Sequence, residues 1–315
     1  MEPNPPLHGL WCATLSPLDT RGGFDAGRMV AHVERLLASG VDGIAPFGTT
    51  GEGQSFSVAE RRGGLDALLA AGVAPQRILA ATGAAALPDA IELTRHAVAA
   101  GCAGALALPP FFFKEVSDDG LLAAYARLID GVGDARLKLV LYHIPQVSGV
   151  AVPVAVVARL ASAYPGVVVG VKDSGADFDH SRALLGVTPR LSIFVGHEPH
   201  VPELRKLGGA GTICGLANLY PRLMRRLYDR ALDPAPGEEP ALIERLLAAL
   251  APFPIFGAMR ALQAGLTGDT AWATPRPPLL ALTPEQARKL RDAVAAAGID
   301  PARDGAPAGR PPRAV

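Results

Sequence analysis

The chain has 315 residues, of which 49% are apolar, and its 30 basic and 30 acidic side chains cancel to a formal net charge of zero. This length and composition predict a folded chain with a large core and argue against disorder over most of its length. The sequence has no basic stripe, so nothing favours nucleic acid or an anionic membrane as a partner. No stretch is long and apolar enough to predict a membrane span.

Short apolar segments alternate with longer amphipathic segments along most of the chain. The short ones predict strands and the amphipathic ones predict helices, several of which begin with Ser, Asp or Pro and end at Gly. The predicted strands cover residues 9–16, 43–47, 77–82, 104–109, 137–144, 167–172, 192–196 and 211–215. The predicted helices between and after them cover residues 25–39, 58–71, 88–100, 118–130, 153–163, 177–185, 199–206 and 218–230.

Eight strands, each followed by a helix, predict an α/β protein with a (β/α)8 TIM barrel over residues 1–230. An open doubly wound sheet is the competing architecture, but no Gly-x-Gly-x-x-Gly turn follows the first strand. Two further helical stretches, at 239–266 and 284–297, predict a C-terminal helical extension over residues 231–298. Residues 299–315 are rich in Pro, Arg, Ala and Gly and predict a disordered tail.

The three cysteines, Cys12, Cys102 and Cys214, lie far apart, and none belongs to a Cys-x-x-Cys pair. Such spacing is typical of reduced thiols rather than of a disulfide framework or a zinc site. The proline-rich residues 1–9 contain no apolar signal core. We therefore expect a cytoplasmic protein.

Lys172 follows the apolar run 167–171 and so lies at the carboxyl end of the sixth predicted strand. In barrels of this kind, catalytic groups come from the carboxyl ends of the strands. Burial there disfavours the ammonium form and favours the neutral amine that attacks a ketone. A lysine that simply points into water where the strand meets its loop is the alternative.

The motif Gly-Thr-Thr-Gly-Glu at 48–52 follows the second predicted strand. Its glycines let backbone N–H groups face outward, and Thr49 and Thr50 add two hydroxyls, so the loop suits a small anion such as a carboxylate. A plain turn with threonine caps is the alternative. Tyr142 ends the fifth strand, where its phenol can transfer a proton; a tyrosine packed in the core is the commoner outcome for this residue type.

His197, Glu198 and His200 lie close together after the seventh strand. Two histidines three residues apart across a proline match no familiar metal site, and no third ligand is evident, so we expect no metal. His197 and Glu198 are instead expected to line the tail of a substrate or to cap the next helix.

In this order, the strand-end motifs resemble those of the dihydrodipicolinate synthase / N-acetylneuraminate lyase family, from about residue 9 to the last helical stretch. The resemblance implies a (β/α)8 barrel with a helical C-terminal domain, a homo-oligomer (dimer or tetramer), and class I aldolase chemistry without a cofactor. The motifs that carry it are Gly-Thr-Thr-Gly-Glu at 48–52, Tyr-His-Ile-Pro at 142–145, Gly-Val-Lys-Asp at 170–173, Gly-His-Glu at 196–198 and Gly-Thr-Ile-Cys-Gly-Leu-Ala-Asn at 211–218.

The same resemblance implies roles for individual residues. Lys172 would form an imine with the ketone of pyruvate, and Tyr142 would transfer protons, with Thr49 as the third catalytic residue. The carboxylate would lie against Thr49 and Thr50, and Ile213 would place its backbone carbonyl near the imine. The substrate-binding positions are expected to be Gly48, Thr49, Thr50, Phe112, Val147, Gly196, Glu198 and Ile213.

Two departures from the family pattern bear on the substrate. Family synthases usually supply a relay tyrosine across a tight dimer from the loop after the fourth strand, whereas residues 111–113 here are all phenylalanine, which cannot carry a proton. The synthases also bind the carboxylate of their aldehyde with an arginine shortly after the Tyr-x-x-Pro motif, and Val147 stands there. The lysine-pathway synthase reaction is therefore disfavoured, and a substrate with a neutral tail is favoured.

We therefore predict a Schiff-base-forming aldolase or lyase that acts on pyruvate or on a 2-oxo acid of the 2-keto-3-deoxy sugar acid type. A dehydratase or a dihydrodipicolinate synthase of the same family is an alternative. From another class, a catalytically weak 2-oxo acid binding protein remains open because the proton relay is broken, although binding alone needs neither Lys172 nor Tyr142. A metal-dependent class II aldolase is the remaining rival.

Overall fold

The computed structural model describes residues 7–235 and 237–306. Within these residues, eight strands form one parallel sheet, as the alternation of segments predicted. The strands are β1 Gly9–Cys12, β2 Gly43–Ile44, β3 Leu79–Ala81, β4 Gly104–Ala107, β5 Leu139–His143, β6 Val168–Asp173, β7 Ser192–Val195 and β8 Gly211–Cys214. Their hydrogen-bonded order is β2-β1-β8-β7-β6-β5-β4-β3, and a parallel bridge between Ile44 and Ile78 joins the two edges. The predicted (β/α)8 barrel is therefore confirmed.

Helices occupy every crossover between the strands. The helices of the barrel are α1 Ala26–Ala38, α2 Val58–Ala70, α3 Leu87–Ala99, α4 Asp118–Val132, α5 Pro145–Ser148, α6 Val154–Ala163, α7 Phe178–Leu185, α8 Val201–Lys206 and α9 Pro221–Asp229. Their starts follow the expected chemistry: Ser57 and Glu60 form a capping box at α2, and Asp25 caps α1. The single turn α5, which begins at Pro145 with one residue between it and the end of β5, was not predicted.

The barrel strands separate two apolar layers because successive side chains point to opposite faces. One face packs against the surrounding helices, through residues such as Leu141, Val171 and Val195. The other face fills the barrel interior, with Val140 and Phe194 among its residues. A side chain that lies on this inner face at the carboxyl end of a strand therefore reaches the barrel mouth.

The C-terminal extension contains one more helix than the sequence predicted. The predicted stretch 239–266 is two helices, α10 Glu239–Leu250 and α11 Ile255–Thr267, which meet at an angle of 112°. Pro252 and Pro254 explain the break, since proline lacks the N–H that a helix needs and disfavours helical geometry in the preceding residue. Helix α12 follows at Pro284–Ala296.

Among the described residues, no single helix has the length and apolar character to cross a membrane; only the bent pair α10 and α11, taken together, meets those two criteria.

The predicted disordered tail needs correction at its start. Residues Pro301–Asp304 form a short helix, α13, and the Asp304 carboxylate is buried, where it accepts a hydrogen bond from Arg226 at 2.5 Å. The ion pair between Asp304 and Arg226 of α9 thus stabilises a segment whose composition predicted disorder. Residues 307–315 of the predicted tail lie outside the described residues.

Candidate active site

Lys172 lies on β6 with its side chain inside the barrel mouth. In register, it sits between Tyr142 of β5 and Phe194 of β7. Only 3% of its surface is exposed, and its Nζ lies 4.2 Å from the centroid of the Tyr142 ring. The alternative of a solvated lysine is therefore wrong, and the structure brings together the two residues predicted to form the imine and to transfer protons.

The residues after Tyr142 and Lys172 point to the outer face of the same strands and form a second polar cluster. The rings of His143 and His180 stack at 4.1 Å, and His180 Nδ1 donates to Asp173 Oδ2 at 2.8 Å. His180 Nε2 donates to the Val152 carbonyl at 3.2 Å, and His143 Nδ1 accepts the Val152 N–H at 3.0 Å. The bond from His180 fixes the carboxylate of Asp173, the residue that follows Lys172 in the chain.

Ligand atoms of His143, Asp173 and His180 lie within 4.8 Å of one another, which is a spacing that a metal ion can bridge. Both nitrogens of His180, however, already donate hydrogen bonds, and His143 Nδ1 already accepts one from the Val152 N–H. The arrangement therefore fits a charged histidine on a carboxylate better than a metal site.

The pKa values in this cluster follow from those contacts. Burial alone would lower the pKa of His180, but the hydrogen bond and the charge of Asp173 outweigh burial and raise it above 6.5. Burial would likewise raise the pKa of Asp173, but hydrogen bonds from His180, Ser181 and the Gly175 N–H lower it below 3.8. Burial and the neighbouring His180 lower the pKa of His143. The two directions favour a neutral His143 ring stacked on a protonated His180 ring.

The loop 48–52 is a tight turn with a strained backbone at each end. Phe47 and Glu52 have positive φ angles of 59° and 54°, which non-glycine residues adopt rarely. Gly53 N–H donates to the Gly48 carbonyl at 3.0 Å and closes the loop. The backbone N–H groups of Thr49 and Thr50, both half-buried, meet no acceptor within the described residues. Such free donors suit an anion.

A cavity of about 300 Å³ opens beside this loop. Gly48, Thr49, Tyr142 and Val147 line it, as their predicted substrate-binding or catalytic roles require. Lys172 does not line it, so Tyr142 is the side chain shared between the cavity and the lysine.

Phe112 does not line this cavity. Its ring is 72% exposed and packs edge-on against Phe113, while Phe111 lines the cavity instead. A three-residue aromatic run offers no sequence signal for which ring turns inward, so the sequence could not separate these positions. A contribution of Phe112 to the site of a neighbouring subunit stays a prediction.

The remaining predicted substrate-binding residues lie on β8 or just after β7. Ile213 is fully buried on the inner face of β8, and Gly196 follows β7 so tightly that an added Cβ would lie 1.9 Å from Ser174 Oγ. Glu198 is buried, and its Oε1 accepts the Leu216 N–H at 3.2 Å. Burial raises the pKa of Glu198, against the opposing effects of backbone hydrogen bonds and the charge of Lys172.

Sequence reasoning missed the contribution of the C-terminal extension to the site. Phe256, Pro278 and Leu279 line the cavity, and Arg260 of α11 is ion-paired with Glu52 of the loop 48–52. These contacts join residues about two hundred positions apart, and no local pattern marks them.

Comparison with known proteins agrees with this geometry. The chain matches the dihydrodipicolinate synthetase family over residues 6–297. It is 35% identical over 289 residues to an uncharacterized DapA-like lyase of Chloroflexus aurantiacus, covering 90% of this chain and 95% of that one. A crystal structure of dihydrodipicolinate synthase from Agrobacterium tumefaciens superposes with a TM-score of 0.86 at 36% identity, covering 92% of this chain and 99% of that chain. A 2-keto-3-deoxygluconate aldolase from Sulfolobus, at 21% identity with a TM-score of 0.82 over 91% of this chain and 95% of that chain, shares the fold.

A barrel with a buried lysine and tyrosine at its mouth, together with the family match and the similarity to the DapA-like lyase, defines a lyase of the class I, pyruvate-dependent, Schiff-base aldolase type. The chain belongs to the dihydrodipicolinate synthetase family.

Proposed function

We propose that the protein forms an imine between Lys172 and the ketone of a 2-oxo acid, and that it cleaves or joins the carbon–carbon bond of a 2-keto-3-deoxy sugar acid. The observation that carries this proposal is the buried Lys172 Nζ against the face of Tyr142. The amine attacks the carbonyl carbon and water leaves, which gives a protonated imine. That imine accepts the electron pair of the breaking bond as the neighbouring substrate hydroxyl loses its proton, so the aldehyde departs and an enamine remains. The enamine takes up a proton at its terminal carbon and becomes an imine again, and water then hydrolyses this imine and releases pyruvate from the lysine.

Other residues supply position and protons. The free N–H groups of Thr49 and Thr50 hold the substrate carboxylate, so that the ketone meets the amine in attack geometry. The Tyr142 hydroxyl transfers protons to and from the carbinolamine and the substrate hydroxyl, with Thr49 beside it on the cavity wall. The Ile213 carbonyl lies near the imine. No cofactor is needed for these steps.

A neutral, hydroxylated tail suits the far side of the site. We assign the hydroxyls of this tail to the Glu198 carboxylate, whose Oε1 already accepts the Leu216 N–H at 3.2 Å. Val147 offers no charge for a second carboxylate, which disfavours the condensation that requires one.

The enzyme is further proposed to be cytoplasmic and homo-oligomeric. Three free cysteines support the first point. The second is supported by Phe112 and Phe113, two adjacent exposed aromatic rings that a neighbouring subunit would cover.

A product screen tests the proposal. The purified enzyme is incubated with a panel of 2-keto-3-deoxy aldonates and hydroxylated aldonates, and released pyruvate and dehydrated products are both measured. Release of pyruvate by the wild type but not by Lys172→Ala would support aldol cleavage. A dehydrated 2-oxo product without pyruvate would identify the dehydratase alternative. Pyruvate binding with turnover no faster than buffer across the panel would identify a binding protein.

A further inference from the structure

Arg260 is a fully buried cation in the C-terminal extension, with 0% of its surface exposed. Its Nε donates to Glu52 Oε1, its Nη2 donates to the Ser16 carbonyl at 2.8 Å, and its Nη1 donates to the Trp272 carbonyl at 3.5 Å. The second oxygen of Glu52 accepts the backbone N–H of Arg276 at 3.1 Å. One side chain thus connects the loop 48–52, the segment after β1 and the C-terminal extension.

A buried ion pair such as that of Arg260 and Glu52 contributes little net stability to a fold. Removing two charges from water opposes their attraction, and apolar residues of similar volume often give equal or greater stability. The best-supported use of a buried ion pair is to fix one geometry among alternatives. The geometry in question here is that of the loop, since the Glu52 carboxylate lies at its carboxyl end.

The loop needs holding because its backbone is strained at both ends. Phe47, at the start, packs against Phe24 and Phe56 with ring centroids 5.2 and 5.5 Å away. Glu52, at the end, has the left-handed conformation with φ 54° and ψ 33°. An aromatic cluster therefore holds one end and an ion pair holds the other, with Thr49 and Thr50 between them.

We infer that Arg260 is a positioning residue for substrate carboxylate recognition, acting through Glu52 on the N–H groups of Thr49 and Thr50. This inference rests on the proposed carboxylate-binding role of that loop. Without Arg260, the buried Glu52 charge loses its partner and the end of the loop must move toward water. The N–H groups then diverge, while Lys172 and Tyr142, which belong to β6 and β5, stay in place.

The test compares two ketones that differ at the carboxylate. Pyruvate carries the group that the loop binds, whereas hydroxyacetone replaces it with a hydroxymethyl group. Rates of borohydride-trapped adduct formation on Lys172 are measured for the wild type, Arg260→Met, Arg260→Lys and Glu52→Gln. We expect Arg260→Met to slow pyruvate trapping by about 10- to 100-fold and to leave hydroxyacetone trapping within about twofold of wild type. Arg260→Lys, which keeps the charge, should lose less.

A matched control separates positioning from general damage. Asp304 is another buried carboxylate, in α13, and it pairs with Arg226 of α9. Asp304→Asn should change the ratio of pyruvate to hydroxyacetone trapping by less than about twofold, whatever it does to thermal stability. If Arg260→Met does not fold, the nearly isosteric Glu52→Gln gives the answer, since it should show the same selective loss.

A binding measurement keeps this inference distinct from the proposed function. In the Lys172→Ala background no imine forms, so calorimetric binding of pyruvate reports the loop alone. Wild-type protein that forms no adduct, yet binds pyruvate in a manner that Arg260→Met weakens, would sink the imine mechanism and keep the inference. Equal losses for pyruvate and hydroxyacetone, or no loss for either, would overturn the inference itself.

Discussion

Lys172 Nζ lies 4.2 Å from the centroid of the Tyr142 ring, and the two residues are paired in register on neighbouring strands. Only 3% of each residue is exposed, so this contact forms inside the barrel mouth. The same contact brings the Tyr142 phenol ring against the nitrogen that must lose and regain protons. Strand register thus presets the distance on which the proposed chemistry depends.

The first prediction concerns the Tyr142 hydroxyl. Tyr142→Phe retains the ring over Lys172 and removes the proton donor, so kcat for pyruvate release should fall by about 10²- to 10⁴-fold. Imine trapping with pyruvate should remain detectable, because the amine is unchanged. Tyr125→Phe is the matched control, since that buried hydroxyl donates to the Ala107 carbonyl at 3.5 Å. Equal activity in the two variants would remove Tyr142 from the mechanism.

The second prediction is a stability window set by His180 and Asp173. Because the pKa of His180 is raised, its contribution is complete below pH 6.5 and is lost as pH rises through the folded-state value. Because the pKa of Asp173 is lowered, its contribution is complete above pH 3.8 and is lost as pH falls through the folded-state value. The pair should therefore stabilise the fold most between pH 3.8 and 6.5.

Urea unfolding at a series of pH values checks this window. The free-energy difference between wild type and His180→Gln should be largest inside it and should shrink on both sides. His96→Gln, which removes a half-buried histidine paired with the exposed Asp66, provides the comparison. A difference between wild type and His180→Gln that does not vary with pH would be inconsistent with a charged His180.

The third prediction is that the charge of Glu198 lowers the free energy of unfolding while it serves substrate binding. Burial raises its pKa above 4.5, so its favourable contribution is present below pH 4.5 and is lost as pH rises through the folded-state value. Glu198→Gln keeps the acceptor for Leu216 and removes the charge. It should be about 0.5–2 kcal/mol more stable than wild type near pH 8 and about equal near pH 4, while turnover of hydroxylated substrates falls. A stability gain independent of pH would contradict this explanation.

The fourth prediction concerns assembly. The paired rings of Phe112 and Phe113 should lie in a subunit interface, so a double substitution by serine should shift the protein to a smaller oligomer in sedimentation velocity. Leu280→Ser is the matched control because Leu280 is comparably exposed elsewhere. An unchanged oligomer in the double variant would place the interface on another face.

Local pattern accounts for most of the fold and for the inner part of the site. The apolar run before Lys172 and the alternation through Tyr142 were enough to place both residues at strand ends, because strand period and barrel topology convert sequence position into spatial position. The same reasoning could not choose among Phe111, Phe112 and Phe113, since ring orientation depends on packing around the loop.

The outer part of the site escaped prediction because it depends on tertiary contact. Arg260 lies in a helix that looked like ordinary amphipathic sequence, and its pairing with Glu52 spans most of the chain. The tail helix at Pro301–Asp304 was missed for the same reason: composition indicated disorder, but Arg226 on α9 supplies a partner for Asp304. Long-range ion pairs leave no periodic signal in the sequence.

The most direct test of the imine is to incubate the protein with pyruvate and borohydride and then map the modified peptide by mass spectrometry. The mechanism predicts one carboxyethyl group per chain, on the side-chain nitrogen of Lys172, and none in Lys172→Ala. Unmodified Lys172 under saturating pyruvate, or modification spread over surface lysines such as Lys289, would contradict it.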